Sequence, residues 1–60
     1  MKFEIYIHYT GWDIRTETSD YLMAWKIYHM AQSMYPPEVA IDLVDLATGE
    51  VFHSNQYPDD

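Results

Sequence analysis

From Lys2 to Tyr9 the chain alternates, with Phe3, Ile5, Ile7 and Tyr9 on one side and Lys2, Glu4, Tyr6 and His8 on the other. That is the period of a half-buried strand. Thr10-Gly11 interrupts it, and the alternation resumes as Trp12, Ile14 and Thr16 against Asp13, Arg15 and Glu17. Two alternating runs around a Gly predict a β-hairpin.

Thr18, Ser19 or Asp20 then offers a short side-chain oxygen to the unpaired amides of a helix's first turn. The helix is expected to run to about Tyr35 and to stop at Pro36-Pro37, because the residue before a proline is driven out of the α region. At about 100° per residue, Met23, Ala24, Ile27, Met30, Ala31 and Met34 gather on one apolar face, which is expected to cover the sheet. Tyr21, Tyr28 and Tyr35 fall along one flank. Leu22 and Trp25 land among Lys26, His29, Gln32 and Ser33 on the side facing away, so two large apolar residues are expected in water.

After the prolines, Val39, Ile41 and Leu43 alternate with Ala40, Asp42 and Val44. The stretch Asp45 to Glu50 has the chemistry of a hairpin turn with Gly49 in a left-handed position, and Val51 to Ser54 returns as the last strand. Residues 1–54 are thus expected to form one α+β domain in the order ββαββ, an antiparallel or mixed sheet with one helix on one face. Residues 55–60 are expected to form a flexible acidic tail. In length and order the chain resembles the β-grasp architecture of small immunoglobulin-binding domains, which implies that the first and last strands pair in parallel at the sheet centre. If the second segment is loop, a three-stranded βαββ sheet with a split β-α-β crossover is the alternative.

Composition narrows the functional classes. Sixty residues suffice for one core, and the absence of Cys removes disulfides and thiolate metal sites. A hydrophobic content of 48% lifts the chain out of the disordered class despite a net charge of −7. No apolar run approaches a signal-peptide core or a membrane span, so a soluble, cytoplasmic protein is the expectation. Three Lys/Arg against ten Asp/Glu argue against nucleic acid or an anionic membrane as a direct ligand. Lys2, Arg15 and Lys26 are the only basic residues, and the chain beyond Lys26 carries Glu38, Asp42, Asp45, Glu50, Asp59 and Asp60.

Catalytic chemistry finds little support. Ser19, Ser33 and Ser54 are the serine nucleophiles and His8, His29 and His53 the bases, yet no nucleophile-elbow or phosphate-loop spacing surrounds them. In the β-grasp order His8 and His53 would project from neighbouring strands on the outer sheet face, with Asp42 near, but the short paired spacings of a zinc site are missing. Asp42, Asp45 and Gly49 lack the alternating oxygens of a calcium loop. No cofactor, no metal and no enzyme activity are expected.

Binding chemistry is better represented. Glu4, Asp13, Glu17 and Asp42 can share the outer sheet face, with Asp45 and Glu50 at its edge. Alternate residues on a strand lie about 6.6–6.8 Å apart, comparable to the separation of successive phosphates. In size, charge and aromatic content the chain looks like the short acidic inhibitors that bacteriophages and mobile elements encode against host nucleases, DNA-repair glycosylases or CRISPR effectors. That likeness implies a DNA-mimicking partner surface for a basic, nucleic-acid-processing protein. Glu4, Asp42, Asp45 and Glu50 would supply charge, and Tyr6 an aromatic anchor. Leu22 and Trp25 form a separate apolar spot, so a homodimeric structural or regulatory module without mimicry is the alternative.

Overall fold

The runs on either side of Thr10-Gly11 form the expected hairpin. Strand β1 (Phe3–Tyr9) pairs antiparallel with β2 (Trp12–Thr18), in a register running from Phe3 opposite Thr18 to Tyr9 opposite Trp12. Gly11 takes φ +91° in the connecting turn, a left-handed conformation that a Cβ disfavours. Helix α1 (Tyr21–Met34) follows, then β3 (Ala40–Asp45) and β4 (Val51–Ser54). This is the ββαββ order of an α+β fold, seen in a computed structural model that describes residues 1–56.

The helix begins and ends where side-chain chemistry dictates. Asp20 is extended, at φ −107° and ψ 117°, and its carboxylate accepts the Leu22 amide at 3.0 Å, occupying one of the donors the first turn leaves open. At the other end Tyr35 is already extended, at φ −113° and ψ 151°, as the ring of Pro36 requires of its neighbour.

The strand order is β2-β1-β3-β4, and every pairing is antiparallel. The parallel pairing of first and last strands implied by the β-grasp resemblance is therefore absent: β3 lies beside β1, and β4 is at the edge. Composition explains the exchange. The central position needs a strand that buries apolar side chains along its length, and β3 sets Ile41 opposite Ile7 and Leu43 opposite Ile5. Strand β4 is only four residues long and carries His53 and Ser54. With β1 between them, β2 and β3 run parallel, joined by the helix.

The core lies between the helix and the β1–β3 centre of the sheet. Phe3, Ile5, Ile7, Val39, Ile41 and Leu43 are buried against Ala24, Tyr28 and Ala31, with Ile27 and Tyr35 packed at the margin. The helix is thus turned from the expected orientation: Met23, Met30 and Met34 are 49%, 59% and 69% exposed. Two alanines let the helix backbone approach the sheet, and the tyrosine flank packs inward. Tyr21 meets Phe3 and Phe52 at ring-centroid distances of 5.4 and 5.9 Å, and Tyr35 meets Trp12 at 6.3 Å. An aromatic ring removes more surface from water than a Met side chain does, so the aromatic flank wins.

In β4 the register slips between Leu43 and Val44, with His53 opposite Leu43 and Val51 opposite Val44. Phe52 is the extra residue of this bulge. Both Phe52 and His53 consequently reach the helix side, Phe52 against Phe3 at 5.9 Å and His53 against Tyr28 at 5.6 Å. Beyond the strand Asn55 is not part of a free tail, since its side chain and its amide all bond to residues 39 and 41. The rest of the expected tail, from Tyr57 on, lies outside the described residues. Among the described residues no helix is long and apolar enough to cross a membrane.

Candidate functional site

The sheet face away from the helix gathers most of the acids expected there. Facing residues of an antiparallel pair share a side, so the registers define three rows across β2, β1 and β3. They read Asp13–His8–Ala40, Arg15–Tyr6–Asp42 and Glu17–Glu4–Val44. Glu4, Asp13, Glu17 and Asp42 thus surround Tyr6, as the strand alternation dictates.

The first two rows are internally compensated. His8 Nδ1 donates to Asp13 Oδ1 at 2.5 Å, and among the described residues this is the one contact of ion-pair length, ionic when His8 is protonated. The hydrogen bond from His8, then that from Tyr6, with the charges of His8 and Arg15 adding, holds the Asp13 carboxyl below its ordinary value. The Arg15 guanidinium lies over the Tyr6 ring, 4.7 Å from its centroid. Its hydrogen bond to Tyr6 and the nearby charges of Glu4 and Asp13 push its pKa up. Tyr6 is therefore half-buried beneath a cation and stacked beside His8.

The third row has no ion pair of its own, although the Arg15 guanidinium lies near Glu4. Glu4 and Glu17 face one another across β1 and β2, where Cβ atoms stand about 4.5–5.5 Å apart and like charges are destabilising. Neither is ion-paired to Lys or Arg among the described residues. Asp42, in the second row, has one carboxylate oxygen buried with no hydrogen-bond partner. Sequence reasoning placed Glu4 and Glu17 on this face but missed that they oppose each other, which depends on the β1–β2 register.

Asp45 does not belong to the site. It is 3% exposed, and its carboxylate accepts the Ala47 amide at 2.9 Å while its backbone accepts from Gly49 at 2.7 Å. Facing Phe3, it lies on the helix side of the sheet and organises the β3–β4 turn. Glu50, at the end of that turn, is exposed.

The histidines are dispersed. β3 separates His8 from His53, so the expected neighbourhood of the two is absent. His53 lies under the helix, its Nε2 3.3 Å from the Tyr21 hydroxyl. Among the described residues no cluster of three or more His, Asp or Glu has metal-ligand geometry. Ser33 donates to the Met30 carbonyl, and the Ser54 hydroxyl accepts the Gln56 amide. Leu22 and Trp25 are 66% and 41% exposed, and the Trp25 ring lies against His29 at 3.9 Å.

No protein-family model, curated protein or solved structure matches this chain.

Proposed function

We propose that the domain is a binding protein whose outer sheet face docks on a basic surface of another protein. The observation that carries this is the Glu4–Glu17 opposition. Placing two carboxylates face to face on neighbouring strands costs stability, and departures from local self-consistency concentrate at functional sites. A cationic partner removes that cost on binding, and Asp42 in the next row supplies a further carboxylate, while the Tyr6 ring holds Arg15. The finer reading is that the target is a nucleic-acid-processing enzyme, whose groove is built for regularly spaced negative charge, and that the domain inhibits it as phage-encoded acidic inhibitors do. The gathering of Glu4, Asp13, Glu17 and Asp42 on one face and the net charge of −7 support it.

The test uses the full chain as bait in a cell lysate, with Glu4→Lys/Glu17→Lys as control. Expected is a basic protein retained by the wild type, lost by the variant, released by salt and displaced by duplex DNA. Retention indifferent to the double substitution sinks the binding-face reading; retention that DNA does not displace removes the mimicry and leaves a basic partner of another kind.

A further inference from the structure

We infer that β2 is the seam of a homodimer, in which two copies pair β2 with β2 antiparallel about a twofold axis at Ile14, placing Asp13 opposite the partner subunit's Arg15. This does not rest on the function proposed above and uses a different edge of the molecule.

The two edges of the sheet are treated differently. β4 is short and bulged, two devices that discourage further pairing. β2 has seven residues in unbroken register with β1 and contains no Pro and no Lys. An edge of that kind presents a row of unpaired backbone donors and acceptors to another strand.

The helix covers the inner face of β2 only in part, with Tyr35 against Trp12 at 6.3 Å. Trp12 and Ile14 point to the helix side of the sheet yet are 44% and 37% exposed. Tyr21 and Tyr28, on one flank of the helix, meet Phe52 and His53 of β4. The opposite flank, on the side away from β4, carries the exposed Met23, Met30 and Met34. Tyr21 lies against Phe3; from there nine helical residues advance about 13.5 Å and four strand residues about 13.6 Å. Met30 therefore stands level with Ile7 and its partner Ile14. Exposed apolar residues of helix and strand thus lie on the same side of the sheet toward its unpaired edge, and such groupings mark interfaces.

Charge selects a second copy as the occupant and fixes the register. On the outer face β2 reads Asp13, Arg15, Glu17, a sequence complementary to itself when shifted. A twofold axis at Arg15 would oppose Arg15 to Arg15 and Asp13 to Glu17, which is repulsive. With the axis at Ile14, Asp13 faces the partner subunit's Arg15 twice over. On the inner face Ile14 then meets the partner's Ile14, and Trp12 meets the partner's Thr16. An axis at Thr16 also pairs opposite charges, Arg15 with the partner's Glu17, but leaves Trp12 outside the ladder. The Ile14 axis covers both exposed apolar residues of β2.

The experiment is sedimentation velocity of the full chain at about 100 μM, comparing wild type, Arg15→Asp, Asp13→Arg/Arg15→Asp, Trp25→Ala and Met30→Glu. The wild type is expected to be a dimer. Arg15→Asp turns two attractive cross-strand pairs into two repulsive ones and should weaken dimerisation about 10- to 100-fold, and the exchanged pair should restore it. Trp25→Ala should leave it unchanged. Met30→Glu, on the exposed helix flank, should weaken it without touching the sheet, and decides the matter if Arg15→Asp does not fold. A monomeric wild type overturns the inference, as does a dimer indifferent to Arg15→Asp and Met30→Glu or one abolished by Trp25→Ala.

Discussion

Asn55 behaves as an extension of β4 made partly from a side chain. Its Nδ2 donates to the Val39 carbonyl at 2.6 Å, its Oδ1 accepts the Ile41 amide at 2.8 Å, and its own amide donates to the Ile41 carbonyl at 3.2 Å. Val39 and Ile41 are each 1% exposed, so water cannot readily replace the side-chain bonds. Asn55→Ala orphans one amide and one carbonyl, at about 1–3 kcal/mol for each buried group left unsatisfied, or about 2–4 kcal/mol with partial relaxation. A domain of this length holds about 3–9 kcal/mol in all. The loss should appear in urea unfolding as a lower midpoint at unchanged slope, and the Ile41 amide should lose its protection from hydrogen exchange. Asn55→Asp keeps the acceptor but sets a carboxylate against the Val39 carbonyl, and should cost at least as much. A loss below about 1 kcal/mol for Asn55→Ala, against that 1–3 kcal/mol per orphaned group, would refute the reasoning and return Asn55 to the tail.

Two further outcomes follow from local geometry. Gly49 has φ +79° with nothing within 4 Å of where a Cβ would stand, so Gly49→Ala carries backbone strain alone; it should cost about 1–2 kcal/mol in thermal unfolding, and Gly49→Asn less. Asp13 has its pKa held below the ordinary 3.8, first by the His8 hydrogen bond. A depressed carboxylate pKa contributes stability above the unfolded value and loses it as pH falls through the folded one. Acid unfolding below about pH 4 should therefore be shallower in Asp13→Asn, and His8→Ala should bring the Asp13 carboxyl titration, followed by NMR, back up.

The elements and their order were readable because each is specified locally, by alternation in the strands, by Asp20 and Pro36 at the helix ends, and by the two glycines at the turns. Strand order was not, because it depends on which strand fills the centre, and Ile41 and Leu43 outcompete a four-residue β4 only once the sheet is assembled. The helix orientation failed for a related reason. Its wheel offers an aliphatic flank of Met23, Met30 and Met34 and an aromatic flank of Tyr21, Tyr28 and Tyr35 about 140° apart on average, and the choice rests on Phe3, Phe52 and Trp12, which come from three strands. On the outer face, alternation alone placed Glu4, Asp13, Glu17 and Asp42 together. Asp45 was misplaced because an Asp beside a turn reads equally as a surface charge or as an acceptor for the turn's own amides, and the Ala47 bond decides for the second.

The two proposed surfaces divide the charges of the outer face between them. At the β2 seam Asp13 and Arg15 neutralise one another across the twofold axis, while Glu17 faces the partner subunit's turn at Gly11 and stays uncompensated. Glu4, Glu17 and Asp42 therefore remain available in each copy, on one continuous eight-stranded sheet. A target touching both copies would gain avidity without any new contact type, and a target touching one would still meet the Glu4–Glu17 pair. The substitutions separate the two ideas: Glu4→Lys, on β1, leaves the β2 seam intact and should weaken partner capture from a dimer, whereas Met30→Glu leaves every outer-face acid in place. Capture that survives in a monomeric Met30→Glu protein means the face works alone; capture lost with dimerisation means the target spans the seam.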